Sequence, residues 1–304
     1  MAALVFIGRA CYHAHMKSGF AIIIGRSNVG KSTLINALVG SKVSITTNKP
    51  QTTRHIIHGI VNDERGQIVF VDTPGILKGS HSALTGQLVD RVREALHGID
   101  VIVYVVDPTR SIGTEERYTL SLIRAATIPK IFVINKSDLG VKERPYLEDY
   151  RALGVNEFTH TIELSATTGV HTKALINTVF ESLPEGEPLY PDTQRTNMRK
   201  EQWVAEIIRE KVLHETRDEV PYAVHVVVDT IEEKKGVHGK PDMFVITARI
   251  VCSADRYKKM VIGAGGRIIK EIGSVARREL EQRLNSKIFL DLEVTSDANW
   301  MNYV

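Results

Sequence analysis

Along residues 18–185, short apolar runs alternate with amphipathic stretches. The runs Phe20–Ile24, Ile56–Val61, Gln67–Val71, Val101–Val106, Ile131–Ile134 and Thr161–Leu164 predict strands. Between them, Lys31–Leu38, Leu84–Leu96, Glu115–Ala126, Arg144–Leu153 and Thr172–Ser182 predict helices. Strands that alternate with helices give an α/β domain, a doubly wound and mainly parallel sheet covered on both faces. Ligands on such sheets bind outside the carboxyl ends of the strands.

The pattern breaks at Leu183–Pro191, where three prolines and a glycine fall within nine residues. This predicts a first domain over 18–185, a linker over 186–200 and a second domain over 201–304. There, Trp203, Val204, Ile207, Ile208 and Val212 recur at helical spacing, with Trp203 read as core. Two β-rich runs follow, Val220–Thr230 and Met243–Cys252, joined by a polar loop at Glu232–Gly239. A helix, a glycine turn at Gly263–Gly266, a helix to Leu284 and a strand at Ile288–Val294 complete an α+β order. The chain of 304 residues fits two such domains. No apolar run approaches the ~20 residues of a membrane-spanning helix. Cys11 and Cys252 match no metal spacing and read as unreactive thiols of a reducing compartment. Residues 1–17 read as an N-terminal extension, with Met16 as an alternative start.

The chemistry sits at the strand ends. Gly25-Arg26-Ser27-Asn28-Val29-Gly30-Lys31-Ser32-Thr33 fits the phosphate-binding loop of P-loop NTPases, after an apolar strand and at the start of a helix. Its N–H groups and the helix N-terminus face an anion. Lys31 then meets the β- and γ-phosphates, and the Ser32 hydroxyl meets Mg²⁺. Asp72-Thr73-Pro74-Gly75, at the end of the third strand, adds a carboxylate for Mg²⁺ and an N–H for the γ-phosphate. In Gln51-Thr52-Thr53-Arg54-His55, a threonine can close on Mg²⁺ and the γ-phosphate; Thr53 is preferred, with Thr52 the alternative. The residue after Gly75 is Ile76; GTPases that place a glutamine there use it to orient the attacking water. The Ile76 side chain cannot hydrogen-bond, so the attacking water must be positioned by backbone, by another residue or by a partner; catalysis otherwise falls to Lys31, Thr53, the Gly75 N–H and the metal, and intrinsic turnover is expected to be slow.

Asn135-Lys136-Ser137-Asp138 matches the N-K-x-D motif of GTPases, and Ser165-Ala166 the S-A element. By that resemblance Asp138 accepts from guanine N1 and the 2-amino group, the Ser165-Ala166 backbone receives O6, and adenine would leave the carboxylate unpaired. The order of T-T-R, D-T-P-G and N-K-S-D resembles translation-associated GTPases. Val261-Ile262-Gly263-Ala264-Gly265-Gly266-Arg267 resembles the I-G-x-x-G core of a KH domain, and Val204–Val212 with Glu219–Tyr222 resembles the region leading into it. The chain is thus identified as similar to Era-family GTPases over residues 17–294, with a type II KH domain.

That resemblance implies a cytoplasmic GTPase that cycles between GTP and GDP and binds 16S rRNA near its 3′ end; a monomer is expected. It also implies action in maturation of the 30S subunit and peripheral contact with the inner membrane. Related potassium-activated GTPases carry asparagine at the position of Asn28, so K⁺ binding there is one reading and simple loop shaping the other. Charge agrees with an RNA-binding half. Residues 186–304 balance at 19 basic and 19 acidic, yet Arg256–Lys287 holds nine basic against three acidic. Gly263, Ala264, Gly265, Gly266, Arg267, Lys270, Arg256, Lys258, Lys259, Arg277 and Arg278 are the candidate RNA contacts. An assembly module with a non-hydrolysing nucleotide site is the rival reading.

Overall fold

The structure, a computed structural model, describes residues 16–49, 52–73, 98–216, 220, 223–235 and 243–300. Two compact units emerge. One takes the described chain up to Ser44 and from Thr53 to Asn197; the other takes Ile45–Thr52 and the chain from Met198 onward.

The first unit is built on a six-stranded sheet in the order β2-β3-β1-β4-β5-β6. Its strands are β1 (Lys17–Ile24), β2 (Ile57–Asp63), β3 (Gly66–Asp72), β4 (Val101–Val106), β5 (Lys130–Ile134) and β6 (His160–Glu163). All neighbours pair in parallel except the edge pair β2–β3, which is antiparallel. Its helices are α1 (Lys31–Val39), α2 (Thr114–Arg124), α3 (Leu147–Glu157) and α4 (Thr172–Ser182).

Alternate residues of the same strands feed opposite cores, as a pleat requires. Ala21, Ile23, Phe70, Val103 and Val133 pack with Leu34 and Ile35 of α1 and Leu175 and Val179 of α4. Ile22, Ile24, Tyr104, Phe132 and Ile134 pack with Leu120 and Ile123 of α2 and Leu147 and Tyr150 of α3. Burial on both faces explains why β1, β4 and β5 read as unbroken apolar runs rather than alternating ones. The helix expected at Leu84–Leu96 lies outside the described residues.

The linker expected over 186–200 differs from what is found. Up to Asn197 the chain lies with the first unit, along the outer edge of β2. The Ile60 N–H donates to the Arg195 carbonyl at 2.9 Å, and Gly59 bridges Thr196. Gln67 of β3, fully buried, accepts from the Leu189 and Tyr190 N–H groups and donates to the Tyr190 carbonyl at 2.8 Å. Proline-rich composition announces the end of a helix, but a buried glutamine that recruits such a segment leaves no periodic trace.

The second unit has the order α5 (Lys200–Glu215), β7 (Val224–Lys234), β8 (Met243–Cys252), α6 (Asp255–Ile262), α7 (Arg267–Leu284) and β9 (Lys287–Ser296). Its sheet runs β7-β8-β9, antiparallel then parallel. The helices cover one face: Val204, Ile207, Ile208 and Val212 meet Ile246, Ala248, Ile250, Ile272, Ala276 and Leu280. Ile45 is buried in this same core, and Trp203 packs against it.

Candidate nucleotide and RNA sites

The loop between β1 and α1 closes tightly over strand ends. A side chain at Gly25 would put its Cβ 2.3 Å from the Val105 carbonyl oxygen, so only glycine lets the loop pass there. Gly30 takes φ 98°, and a Cβ on it would meet the Asn135 side-chain nitrogen at 2.3 Å. Asn28 stands in the left-handed region at φ 64°, a conformation asparagine tolerates. Thr33 is half-buried in the first turn of α1.

Lys31 is buried, and its amine donates to the carbonyls of Gly25 at 3.0 Å and Arg26 at 2.9 Å. Burial pulls its pKa down to about 8, against the opposing charges of Asp72 and Glu115. Asp72 is fully buried at the end of β3, and burial pushes its pKa up. Its Oδ2 accepts from the Ser32 hydroxyl at 2.9 Å and the Ser44 hydroxyl at 2.8 Å. Its Oδ1 is buried with no hydrogen-bond partner among the described residues. Ser32 Oγ also lies 2.9 Å from Thr53 Oγ1.

Of the two threonines left open by the sequence, Thr53 is the one brought to Ser32. Thr52 instead closes its own turn, with its hydroxyl 2.6 Å from that of Thr47 and donating to the Lys49 carbonyl. Thr73 is buried and donates its hydroxyl to the Ile23 carbonyl at 2.9 Å, tying β3 to β1. Pro74, Gly75 and Ile76 lie outside the described residues, as does Gln51.

Asn135, buried at the end of β5, joins three loops. Its side chain donates to the Val29 carbonyl and accepts from the Ala166 N–H, each at 2.9 Å. Lys136, at φ 64°, swings its amine to Asp107 at 2.5 Å. The Ser137 N–H donates to the Leu164 carbonyl, and buried Ser165 receives the Thr168 N–H on its hydroxyl. Asp138 is left exposed at the rim, on the same loop as Asn135 and Lys136. Nucleotide-loop, N-K-x-D and S-A residues thus converge at one end of the sheet.

Three supports escaped the sequence reading. Asn36 of α1 holds the Ser44 segment through three bonds, receiving the Val43 and Ser44 N–H groups and donating to the Ser44 carbonyl at 2.7 Å. Arg26 pairs with Glu115 at 2.8 Å and with buried Glu116 at 2.9 Å. Glu116 in turn accepts the Gly113 N–H, capping α2. Asp107 also caps Thr109. Only Glu116 carried a local signal, a glutamate three residues into a helix start.

In the second unit, Gly263, Gly265 and Gly266 all take positive φ, at 72°, 59° and 78°. A Cβ on Gly263 would strike Ile268 at 2.6 Å, so the turn needs glycine for space as well as for angle. It leads into the N-terminus of α7. Around it Ala264, Arg267, Lys270, Arg256, Lys259 and Arg277 are exposed, and Lys258 is half-buried. Arg256 lies over the Tyr257 ring at 4.5 Å. Arg267, Lys270 and Arg277 recur on one face of α7, opposite the buried Ile272, Ala276 and Leu280.

Residues 20–136 match the model of a 50S ribosome-binding GTPase family, and residues 219–300 match a KH domain. The chain is 43% identical to GTPase Era of Geotalea daltonii, over 93% of each chain. It is 39% identical to GTPase Era of Halothermothrix orenii, over 93% of this chain and 94% of that one. The chain belongs to the Era family of GTPases.

Among solved Era structures, one in complex with MgGDPNP and nucleotides 1506–1542 of 16S ribosomal RNA superposes with TM-score 0.86. Identity there is 36%, covering 94% of this chain and 95% of that one. A variant of Aquifex aeolicus Era bound to GDP·AlF4⁻ gives the same TM-score, identity and coverage. The Era-family fold is therefore an α/β P-loop domain followed by a KH domain, and the enzyme hydrolyses GTP. This overrules the reading of a non-hydrolysing assembly module. No helix among the described residues is long and apolar enough to cross a membrane.

Proposed function

We propose that this Era-family GTPase binds GTP with Mg²⁺ at Ser32, Thr53 and Asp72, and binds small-subunit rRNA near its 3′ end through the Gly263–Gly266 turn. The observation that carries the nucleotide half is the orphaned, buried Asp72 Oδ1 beside the Ser32 and Thr53 hydroxyls. A buried carboxylate oxygen without a partner is costly unless a ligand answers it. A hard cation with oxygen ligands suits that donor set. When bound, Mg²⁺ neutralises the charge that develops on the phosphates.

The chain's own residues do the rest. Lys31 leaves the Gly25 and Arg26 carbonyls for the β- and γ-phosphates, where its charge offsets that of the transferring group. The N–H groups of Ser27–Ser32 line the phosphates. Gly75 offers an N–H to the γ-phosphate, and Ile76 leaves the attacking water to backbone groups. Asn28 is the candidate K⁺ ligand. Asp138 selects guanine, on a loop that Asn135 and Lys136 brace. Asp138→Asn is expected to turn preference from guanosine to xanthosine nucleotides; unchanged preference in competition assays would reject this assignment.

The RNA half rests on the open glycine turn and the exposed Arg267, Lys270, Arg277, Arg256 and Lys259, with Lys258 beside them. Phosphate contacts there would make binding strongly salt-dependent. The Era structure that carries a 16S rRNA fragment supports this reading. Further proposals are action in 30S subunit biogenesis, a cytoplasmic monomer, and peripheral contact with the inner membrane. Crosslinking the purified protein with GDPNP to total RNA tests the partner. Contacts clustered at the 3′ end of 16S rRNA are expected, and scattered contacts would defeat it.

A further inference from the structure

Strand β4 ends at Val106, and the next residue, Asp107, is 2% exposed. Its two carboxylate oxygens do separate work. Oδ1 accepts the Thr109 N–H at 3.0 Å and the Thr109 hydroxyl at 2.7 Å, closing the turn after the strand. Oδ2 accepts from the Lys136 amine at 2.5 Å. Arg110 Nε stands farther off, 3.9 Å from the same oxygen, on a side chain open to solvent. The turn uses only one of the oxygens, and a neutral amide would serve it. The second holds a lysine of another loop.

Lys136 stands at φ 64°, in the left-handed region that side chains other than asparagine and aspartate seldom take. On one side of it the Asn135 N–H donates to the Val106 carbonyl at 3.0 Å. On the other the Ser137 N–H donates to the Leu164 carbonyl, also at 3.0 Å. The main chain at 135–137 is therefore pinned between the ends of β4 and β6, and only the side chain remains to be ordered. Ordering a lysine side chain sacrifices more rotamer freedom than ordering most others. The bond to Asp107 does this in the empty site. It leaves a four-carbon stem running from the β5 loop to the end of β4, on a side chain 32% exposed.

Sheet order gives that stem its meaning. From β1, which leads into the phosphate loop, the strands run β4, β5, β6. The groups assigned to the base, Asp138 and Ser165-Ala166, follow β5 and β6. A nucleotide with its phosphates on the first loop and its base on the last two must cross the ends of β4 and β5, where the Lys136 stem runs. We propose that Asp107 is a positioning residue for guanine-nucleotide binding: it anchors the Lys136 amine, so that the methylene stem lies ready as an apolar rest for the nucleoside. Order established before the nucleotide arrives need not be imposed on binding. The inference rests on the assignment of Asp138 and its loop to the base made above.

The test sets the full-length protein against Asp107→Asn, Lys136→Met and the two combined. Asparagine keeps an oxygen for the Thr109 N–H but offers Lys136 no charge. Titration with fluorescent GDP and GDPNP gives affinity, and single-turnover hydrolysis at saturating GTP gives the chemical step. Thermal unfolding checks that each variant is folded. Asp107→Asn is expected to bind both nucleotides about tenfold more weakly, by the same factor, the scale of one hydrogen bond to a charged group. Hydrolysis at saturation should match the parent, because losing a contact made equally before and during reaction lowers affinity and not kcat. In the Lys136→Met background the Asp107→Asn change should cost no further affinity, since the group it acts through is gone.

A loss that persists undiminished in the Lys136→Met background runs through Thr109, Arg110 or the fold, and overturns the proposal. Asp138→Asn, measured alongside, separates the two readings. If it turns preference to xanthosine nucleotides while Asp107→Asn binds as the parent does, the positioning role is overturned and the base assignment stands. If guanosine preference survives Asp138→Asn, that assignment fails and takes the proposal with it. Should Asp107→Asn not fold, Asp107→Ser decides by the same titrations in both backgrounds. Its hydroxyl can accept the same Thr109 N–H and cannot anchor the amine by charge, so parental affinity in this variant overturns the proposal.

Discussion

A single side chain, Asn135, holds the nucleotide loop, the N-K-x-D loop and the S-A loop in register through two buried hydrogen bonds. Removing it leaves the Val29 carbonyl and the Ala166 N–H unsatisfied, each at about 1–3 kcal/mol. Asn135→Ala should therefore lower stability by about 2–4 kcal/mol and weaken GDP binding, as read by urea unfolding and a fluorescent-GDP titration. Cys252 shows the opposite case, a residue with no chemistry to perform. Burial in the second core pushes its thiol up to about 11, so almost no thiolate exists at pH 8. It should resist a thiol reagent in the folded protein and react at once in denaturant. His58 packs against Phe20 and Tyr190, and burial holds its pKa below the ordinary 6.5. As pH falls below 6.5 the unfolded chain takes up a proton that the folded one refuses. Stability is thus lost on acidification until the folded pKa is passed. His58→Phe should flatten the part of the stability profile just below pH 6.5, measured by denaturation at a series of pH values.

At the scale of elements, much could be read from the chain itself. Residues 101–106 and 131–134 announce strands because their apolar runs are too short and too β-branched for buried helices, and the six strands fall where those runs do. The phosphate loop was legible because two glycines, a lysine and a serine at fixed spacing between a strand and a helix have few other uses. Asn36, Gln67 and Arg209 were not legible. Each is a polar residue of ordinary type for its helix or strand, and its role appears only when a distant main chain arrives to be bonded. Gln67 allows a direct measurement. Its side chain satisfies three main-chain groups of the segment after α4. Gln67→Leu should cost about 2–4 kcal/mol through the buried groups it leaves unpaired. It should also speed tryptic cleavage at Arg195, followed by gel and mass spectrometry.

At the scale of the whole molecule, the boundary between the units is not one point in the sequence. Leu183–Pro191 looks like a divider, and composition could offer nothing better, since Ile45–Thr52 bears no mark of the core it joins. A fragment covering 198–304 would lose the Ile45 side chain from its core and leave Glu210 and Arg209 without the partners that segment supplies. Truncating a buried isoleucine alone costs about 2–5 kcal/mol. Ile45→Ala in the intact protein should therefore destabilise the second unit by that amount, seen as earlier hydrogen exchange in α5 and β8. The isolated fragment should fare worse still.

The strip of chain from Asp192 to Asn197 has a consequence for solubility. Strand β2 ends the sheet, and an uncovered border of that kind invites other chains to add strands to it without limit. Here the Gly59–Thr196 bridge and the Ile60–Arg195 bond occupy that border. A nick or deletion within 192–197 would unveil a self-complementary rim, and such a protein should be lost from solution as fibrous or amorphous material at concentrations the intact chain tolerates.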